Sequence, residues 1–379
     1  MKLAFATSFP DDPAAPAGGV EAVSVNLVEA LAAGGDLDID VVTTDRRCRC
    51  ARVEPWNGVR VHRLPWAGGS MLRNAIGPGR GQVQSYLRDL EPDVIHAHDT
   101  YGLVVQGMPI PRVFTIHGFI HGDTLVSGER FARLRSWIWR RVETVGWADQ
   151  PHIISISPYV RERLRGIATG VIHDIDNPIA ERFFDVAQAG RHLTIFSAAV
   201  VTPRKNTLAL VDAVAELTAG GIDCELRLAG SLGDETYVRQ VRQRIQEGGL
   251  EPRVSLLGKI GTEQVLRELA ATSVFALVSL EENSPMGIEE AMAAGVPVVT
   301  SNRCGMPYMV RDGESGFLVD ANDPHDIARR LRQLLESDEL RRSMGAKGKE
   351  IALDRFHPAK VAARTREVYL QAIEDFHRK

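Results

Sequence analysis

The chain has 379 residues, 44% of them hydrophobic, which is enough apolar material for two globular domains. Its formal net charge of −4 argues against a general affinity for nucleic acid. The sequence holds no run near the roughly 20 apolar residues of a membrane-spanning helix, and its apolar start is too short for a signal peptide. Its four cysteines are scattered without a zinc spacing, and Cys48 and Cys50 are too close for an ordinary bridge, so a reducing, cytoplasmic compartment is predicted.

The first half of the chain alternates short apolar segments with helical patterns. Residues 3–8 and 38–44 predict strands on either side of a helix at residues 20–33, and further strands are predicted at residues 58–64, 93–98, 112–117, 152–157 and 171–177. Gly18-Gly19 before the first helix lets backbone amides approach a phosphate at the positive end of the helix. In isolation, a glycine pair more often marks a plain turn.

Histidines end two neighbouring predicted strands. His96 and His98 share one face of the first, and His117 ends the second. A lone His117 would more often be a hydrogen-bonded structural residue than a catalytic one. Together with His96, His98 and His121 it could bind a metal ion, but no carboxylate or cysteine completes a convincing set, so no metal site is predicted.

Residues 129–147 predict a helix that carries five arginines among large apolar side chains. Such a helix can lie on an anionic membrane, which would make this segment a peripheral membrane contact. The alternative is a surface helix whose apolar stripe packs on the sheet. We favour this alternative because the apolar and basic residues are not cleanly separated along the segment.

From residue 192 the chain alternates strands and helices again. Strands are predicted at residues 192–201, 223–230, 253–258, 274–279, 296–301 and 316–320, which indicates a second doubly wound sheet. Thr202-Pro203 predicts the N-cap and first position of a helix, so Arg204 and Lys205 would lie in its first turn. Cations there are unfavourable by roughly 0.3–1 kcal/mol each, which indicates that an anion such as a diphosphate faces them.

A polar loop follows the strand predicted at residues 274–279, and Ser284-Pro285 predicts the N-cap and first position of a short helix. Together with the strand at residues 296–301 this forms a βαβ step, whose loop lies where open α/β sheets bind ligands. Glu282 and Glu290 frame the step. A helix N-terminus favours acidic residues, which explains Glu290 but not Glu282.

This stretch resembles the signature of the retaining family 4 glycosyltransferases. In that family an acidic residue, seven others and a Glu are followed by Ala-Met-Ala, a Gly and Pro-Val-Val, and Glu282, Glu290 and residues 291–299 match this pattern. The family usually has Gly-Phe-Gly after the first acid, whereas this chain has residues 283–285 as Asn-Ser-Pro. Pro285 has no amide hydrogen to offer a ligand.

The resemblance implies the GT-B fold, an α/β fold of two Rossmann-like domains facing across a cleft, with a C-terminal helix that crosses back to the first domain. The expected N-terminal, acceptor-side domain is residues 1–188, joined by the helix at residues 358–379. The expected C-terminal, donor-side domain is residues 189–357.

The resemblance also implies roles for individual residues. Glu282 and His117 would face the donor sugar and are the catalytic candidates, while Glu290 would meet the ribose. The donor-binding candidates are Gly19, Arg204, Lys205, Lys259, Ile260, Asn283, Ser284, Pro285, Met286, Gly287 and Glu290. The family's Gly-Arg, four residues, Lys pattern has Lys205 in the Lys place but Val200 in the Arg place, so Arg204 is the candidate to supply the missing charge.

The implied activity is retaining, metal-independent hexosyl transfer from a UDP- or GDP-linked sugar, without a cofactor. The acceptor would be a glycan, a lipid-linked molecule or a small molecule in polysaccharide or glycoconjugate biosynthesis. A non-catalytic nucleotide-sugar binding protein stays open because of Val200 and Pro285. Another GT-B enzyme, such as a sugar phosphorylase or an epimerase, also stays open, although the spacing of Glu282 and Glu290 argues against it.

Overall fold

The computed structural model describes residues 1–66, 68–126, 131–188 and 193–378. These divide into two compact units. Unit 1 comprises Met1–Pro178 and Pro358–Lys379, and unit 2 comprises Ile179–His357. The sequence predicted the boundary after residue 188, but Ile179, Phe183 and Phe184 are buried in the core of unit 2, which places the boundary after residue 178.

Unit 1 is built on an eight-stranded sheet whose strands pair parallel, except for the antiparallel pair of β3 and β4. Its strands are β1 (Lys2–Ala6), β2 (Asp38–Asp45), β3 (Arg52–Trp56), β4 (Val59–Pro65), β5 (Val94–His98), β6 (Arg112–Ile116), β7 (His152–Ser155) and β8 (Val171–Asp174). Their spatial order is β3-β4-β2-β1-β5-β6-β7-β8. The order reverses between β1 and β5, which is the point where a doubly wound sheet opens a ligand crevice.

Where the structure describes the segments between these strands, they form the helices α1 (Gly19–Ala33), α2 (Met71–Ile76), α3 (Pro78–Asp89), α4 (Thr100–Val105), α5 (Ile120–Val126), α6 (Ala132–Ala148) and α7 (Pro158–Leu164). The helix predicted at residues 129–147 corresponds to α6, and its first two predicted residues lie outside the described residues. Phe131 precedes α6 in the left-handed conformation, with φ of 61°. Within the described part of the chain, no helix is both long and apolar enough to cross a bilayer.

Unit 2 has a six-stranded, all-parallel sheet in the order β11-β10-β9-β12-β13-β14. Its strands are β9 (Thr194–Ala198), β10 (Glu225–Ala229), β11 (Val254–Gly258), β12 (Val274–Leu277), β13 (Val298–Ser301) and β14 (Gly316–Val319). Its helices are α8 (Thr207–Ala219), α9 (Glu235–Glu247), α10 (Thr262–Ala271), α11 (Met286–Ala293), α12 (Pro324–Leu335) and α13 (Asp338–Arg355). Apolar clusters cover both faces of the sheet. Successive residues of a strand point to opposite faces, and the successive residues Ile195 and Phe196 of β9 belong to different clusters.

The segment that follows unit 2 belongs to unit 1. There α14 (Pro358–His377) packs against α1, and its Tyr369 hydroxyl lies 2.7 Å from Nδ1 of His96 on β5. Tyr369 is fully buried in a cluster with residues of β1, β2 and α1. The predicted α/β fold of two Rossmann-like sheets is therefore confirmed.

Candidate active site

The predicted cations and the first predicted carboxylate meet at the switch point of unit 2, between β9 and β12. Arg204 and Lys205 lie in the loop after β9, and Glu282 lies in the loop after β12. The Arg204 guanidinium is 3.2 Å from Oε1 of Glu282, and the Lys205 ammonium bonds the same oxygen. All three side chains are largely shielded from solvent. Two residues that sequence reasoning assigned to a diphosphate therefore hold a carboxylate of the chain itself.

The prediction that Arg204 and Lys205 lie in the first turn of an α-helix was wrong. Residues Pro203–Lys205 form a separate 3₁₀ turn, and Asn206 adopts the left-handed conformation with φ of 56° before α8 begins at Thr207. The Asn206 amide donates hydrogen bonds to the carbonyls of Val278 and Ala321, at 3.2 and 2.6 Å, which anchors this bend to the neighbouring strands. The two cations therefore belong to a separate turn at the sheet edge, before the first residue of α8.

Backbone contacts hold this turn against the loop that carries Glu282. The Leu280 amide donates to the carbonyl of Arg204 at 2.8 Å, and the Arg204 guanidinium donates to the carbonyl of Glu281 at 2.8 Å. These bonds fix the position of Arg204 independently of its ion pair with Glu282. Local sequence patterns could not predict these bonds, because they join segments that are far apart along the chain.

The start of α11 also differs from the prediction. Ser284 is not the N-cap, because Pro285 takes that place in an extended conformation, with φ of −73° and ψ of 119°, and α11 begins at Met286. The Ser284 hydroxyl instead donates to the buried carboxylate of Glu289 at 2.6 Å. Gly287 packs closely, since a Cβ there would lie 3.0 Å from the Phe275 ring. These contacts seat the start of α11 against β12.

Gly305 is a site residue whose role sequence reasoning missed. Its amide donates to the carbonyl of Glu282 at 2.8 Å. A Cβ at this position would lie 1.7 Å from the carbonyl oxygen of Asn283, so only glycine fits. The loop after β13 therefore pins the backbone of Glu282 and Asn283, and the close approach could not be read from the sequence.

Glu290 lies on α11 and is half-buried. Burial raises the pKa of its carboxyl group to about 8, and the positive charge of Arg182 opposes this shift only in part. A carboxyl group whose pKa is raised this far is a candidate to contact a ligand. Its contact with ribose hydroxyls stays a prediction.

The remaining donor-side candidates line the same edge of the unit 2 sheet. Lys259 and Ile260 follow the end of β11; Lys259 is exposed, and Ile260 packs on the core cluster beneath the sheet edge. Met286 packs on the same cluster. Val200, which takes the place of the family's Arg, is exposed. Val200 therefore supplies no positive charge. The cations of this loop that follow it are Arg204 and Lys205, and both contact Glu282.

In unit 1 the histidines form one buried group at the switch point. The ring nitrogens of His96 lie 2.7 Å from the hydroxyls of Tyr369 and Thr115, and its ring packs 4.7 Å from that of His98. Nδ1 of His98 lies 3.1 Å from Nε2 of His117. Burial lowers the pKa of His96 to about 3 and that of His117 to about 4, and it holds the pKa of His98 well below its usual range. All three rings are therefore neutral at pH 7.

His117 is the most accessible of the three. Its backbone amide donates to the Asp99 carboxylate at 3.0 Å, and its ring is hydrogen-bonded by the side chain of Asn177. A small cavity of unit 1 is lined in part by His98, His117 and Asn177. The His117 ring is held by neutral partners, as expected of a structural residue. The same ring also borders a cavity, as expected of a residue that faces a ligand. Sequence reasoning missed the contributions of Asp99 and Asn177.

Gly18 and Gly19 lie at the same switch point, where α1 begins at Gly19. A Cβ added to Gly18 would meet no atom within 4 Å, so packing does not demand a glycine there. Open space before a helix N-terminus is compatible with a ligand phosphate. Among the described side chains, no group of three or more His, Cys, Asp or Glu residues has the geometry of a metal site.

Comparison with known proteins relates both halves of the chain to one family. Residues 17–181 match the family described as Glycosyltransferase Family 4, and residues 179–351 match Glycosyl transferases group 1. An uncharacterized glycosyltransferase of Methanocaldococcus jannaschii is 25% identical over 371 residues, which cover 93% of this chain and 94% of that protein. The two matched regions meet close to the boundary between unit 1 and unit 2.

Solved structures agree in fold. The sucrose-phosphate synthase of Thermosynechococcus elongatus has a TM-score of 0.84 and 23% identity, with 99% of each chain covered. The HepE protein of Anabaena, solved in complex with UDP-glucose, has a TM-score of 0.75 and 18% identity, with 98% of this chain and 100% of that chain covered. At these identities the likeness shows the GT-B fold. From the two adjoining family matches, the chain belongs to the family 4, or group 1, glycosyltransferases.

Proposed function

We propose that this protein transfers a hexosyl group from a nucleotide-diphosphate sugar to an acceptor hydroxyl, with retention of anomeric configuration and without a metal ion. The observation that carries the proposal is the convergence of Arg204, Lys205 and Glu282 at the switch point of unit 2. The donor is UDP- or GDP-linked, and the Anabaena structure solved with UDP-glucose favours uridine.

The cation pair suits the leaving group. When a donor binds, its diphosphate takes the place of the Glu282 carboxylate on Arg204 and Lys205, because two negative charges attract the pair more strongly than one. The N-terminus of α11 adds a favourable dipole near the same loop. These groups supply the electrostatic stabilisation that a metal ion supplies in other transferases.

The displaced Glu282 is then available to the sugar. In the proposed step the bond from the anomeric carbon to the diphosphate oxygen breaks, and its electron pair leaves with the diphosphate. The acceptor oxygen bonds the anomeric carbon on the same face, and its proton passes to the departing diphosphate oxygen. Positive charge develops on the sugar ring, and the Glu282 carboxylate stabilises it.

The other residues position the substrates. Glu290 binds the ribose hydroxyls, and His117 of unit 1 faces the donor sugar. The acceptor is a glycan, a lipid-linked molecule or a small molecule of polysaccharide or glycoconjugate biosynthesis. A cytoplasmic setting belongs to the same proposal, and its support is that all four cysteines are free thiols.

The first test is binding. A ligand that binds only the folded state raises its apparent stability, so UDP and UDP-sugars should raise the melting temperature in a concentration-dependent way. GDP and ADP serve as comparisons that identify the base. Lys205→Ala should abolish most of the shift, whereas the control Lys347→Ala, on the surface of α13 beside Glu350, should keep it.

The second test is turnover. Release of UDP from a UDP-sugar should require an acceptor, should survive a chelator, and should give a product whose anomeric configuration, measured by NMR, matches that of the donor. Binding without turnover over a broad acceptor panel would identify a non-catalytic binding protein. Sugar release driven by inorganic phosphate, or donor epimerisation without an acceptor, would identify one of the other GT-B enzymes.

A further inference from the structure

The solvent-facing side of α6 is apolar where a surface helix is normally polar. The helix buries Ser136, Trp139, Glu143, Gly146 and Trp147 against unit 1. The opposite side carries Leu134, Trp137 and Val145, which are 57%, 56% and 62% exposed. Leu134 and Trp137 are three positions apart, and Trp137 and Val145 are eight positions apart, so the three side chains form one stripe along the helix.

Neighbouring residues extend this exposed apolar stripe. Phe131, immediately before α6, is 65% exposed, and Leu125 of α5 is 53% exposed. Helix α5 packs along α6. The sequence-based preference for a stripe packed on the sheet was therefore wrong for Phe131, Leu134 and Trp137. Of the large apolar side chains of α6, only those of Trp139 and Trp147 are buried.

Cations flank the stripe. Arg133 and Arg140 lie along one edge and Arg135 along the other, and all three are exposed. Arg141 lies within the stripe, with its guanidinium 5.3 Å from the centre of the Trp137 ring. The helix contains one acid, Glu143, which is buried and accepts hydrogen bonds from the backbone amides of Ile120 and His121. The exposed face of α6 is thus basic in a chain whose net charge is −4.

We propose that this face docks unit 1 on an anionic lipid bilayer. Leu134, Trp137 and Val145 enter the boundary between headgroups and acyl chains, and the arginines lie at the level of the lipid phosphates. Tryptophan and arginine both favour this depth, because each combines an apolar body with a polar end. The proposal concerns where the protein binds and does not depend on the proposed transfer reaction.

Two other occupants of the face are less suitable. A second copy of the chain, docked through the same face, would bring the two sets of arginines together, and like charges across an interface oppose association. An acidic protein partner would satisfy the charges, but a straight, narrow stripe on one helix offers no pocket for an anchoring side chain. A planar anionic surface satisfies both the stripe and its flanking cations.

The test is sedimentation of the full chain with lipid vesicles. Vesicles of phosphatidylcholine containing a substantial fraction of phosphatidylglycerol should bind the protein, and vesicles of phosphatidylcholine alone should bind it far more weakly. Binding should fall as salt rises, because salt screens the arginine–phosphate attraction. Equal binding to both kinds of vesicle, or to neither, would overturn the proposal.

Variants identify the face. Arg133→Ala and Arg140→Ala should each lower the partition coefficient about fivefold, which corresponds to about 1 kcal/mol per basic residue at an anionic surface. Trp137→Ala and Leu134→Ala should each lower it on the order of tenfold, because each removes a large apolar side chain from the lipid. The controls are Leu370→Ala on α14, whose leucine is 48% exposed, and Arg242→Ala on α9, and both should bind like the wild type.

Two further outcomes would sink the proposal. One is unchanged vesicle binding in the double variant Leu134→Ala/Trp137→Ala. The other is a dimer in analytical ultracentrifugation that this double variant abolishes, together with no vesicle binding, since that result would assign the face to self-association. All substituted side chains are exposed, so the melting temperatures should stay close to that of the wild type and exclude misfolding as the cause.

Discussion

The carboxyl group of Glu290 should make nucleotide binding depend on pH with a defined sign. Its pKa is raised from 4.5 to about 8, so the free protein holds it mostly protonated at pH 7. Ribose hydroxyls donate hydrogen bonds best to the ionised form, so binding must release a proton. Each pH unit below the pKa then weakens binding about tenfold, or 1.36 kcal/mol. Affinity for UDP should rise on the order of fiftyfold from pH 6 to pH 8 and level off above that.

The assay is isothermal titration calorimetry of UDP against the wild type and Glu290→Gln at several pH values. The phosphate of UDP titrates in the same way with both proteins, so the ratio of their dissociation constants isolates Glu290. Titration in buffers of different ionisation enthalpy should show close to one additional proton released by the wild type at pH 7. A ratio that does not change with pH, or proton uptake by the wild type, would refute the assignment of Glu290 to the ribose.

The same shift affects stability before any ligand is added. The folded-state pKa lies above the unfolded value, so the folded protein keeps a proton that the unfolded chain releases between about pH 4.5 and pH 8. The free energy of unfolding should therefore fall as pH rises through this window. Denaturant titrations of Glu290→Gln should lack this component of the pH dependence. Parallel pH profiles of the two proteins would show that the carboxyl group titrates normally.

The remaining predictions concern the two loops of unit 2 and the histidine of unit 1. Lys205→Ala and Arg204→Ala should each weaken UDP binding by roughly 1.5–3 kcal/mol, measured by calorimetry, and normal binding by both variants would refute the diphosphate assignment. Glu282→Gln should keep or improve UDP affinity, because the amide no longer competes for the two cations, and should lower the transfer rate; equal losses in both would count against this division of roles. His117→Ala should leave UDP affinity within about twofold and strongly reduce transfer, whereas a lower melting temperature with full transfer would assign His117 a structural role. Gly305→Ala should lower the melting temperature, since its Cβ would lie 1.7 Å from a carbonyl oxygen, and unchanged stability would mean that the loop relaxes freely.

The sequence was sufficient for the repeated βα pattern, because apolar runs and glycine-rich turns are local signals. It was also sufficient to place Glu282 and Glu290 on either side of one βα turn. It failed at the two helix starts. Thr202-Pro203 and Ser284-Pro285 both resemble an N-cap followed by a helical proline, but Asn206 turns left-handed and Pro285 stays extended. Tertiary hydrogen bonds decide these conformations, and local propensity does not encode them.

The pairing of Glu282 with Arg204 and Lys205 was beyond sequence reasoning for a related reason. The loops are separated by 77 positions along the chain, and their contact depends on the adjacency of β9 and β12 in the sheet. The same applies to His98 and His117, whose nitrogens meet because β5 and β6 are neighbours. The apolar pattern of the sequence predicted which residues lie at the carboxyl ends of the strands. The order of the strands in the sheet decides which of these residues are in contact.

The placement of α14 has a consequence for biosynthesis. Unit 2 is one continuous stretch of chain, whereas unit 1 needs Pro358–Lys379, including the Tyr369 hydroxyl bonded to His96. A ribosome makes unit 2 before it makes the piece that completes unit 1. Domains generally fold as units while the chain emerges. Unit 2 can therefore reach its native state before unit 1 does. Until α14 is made, the apolar surface of unit 1 beside β1 and α1 stays uncovered, and this is the surface on which a chaperone would act.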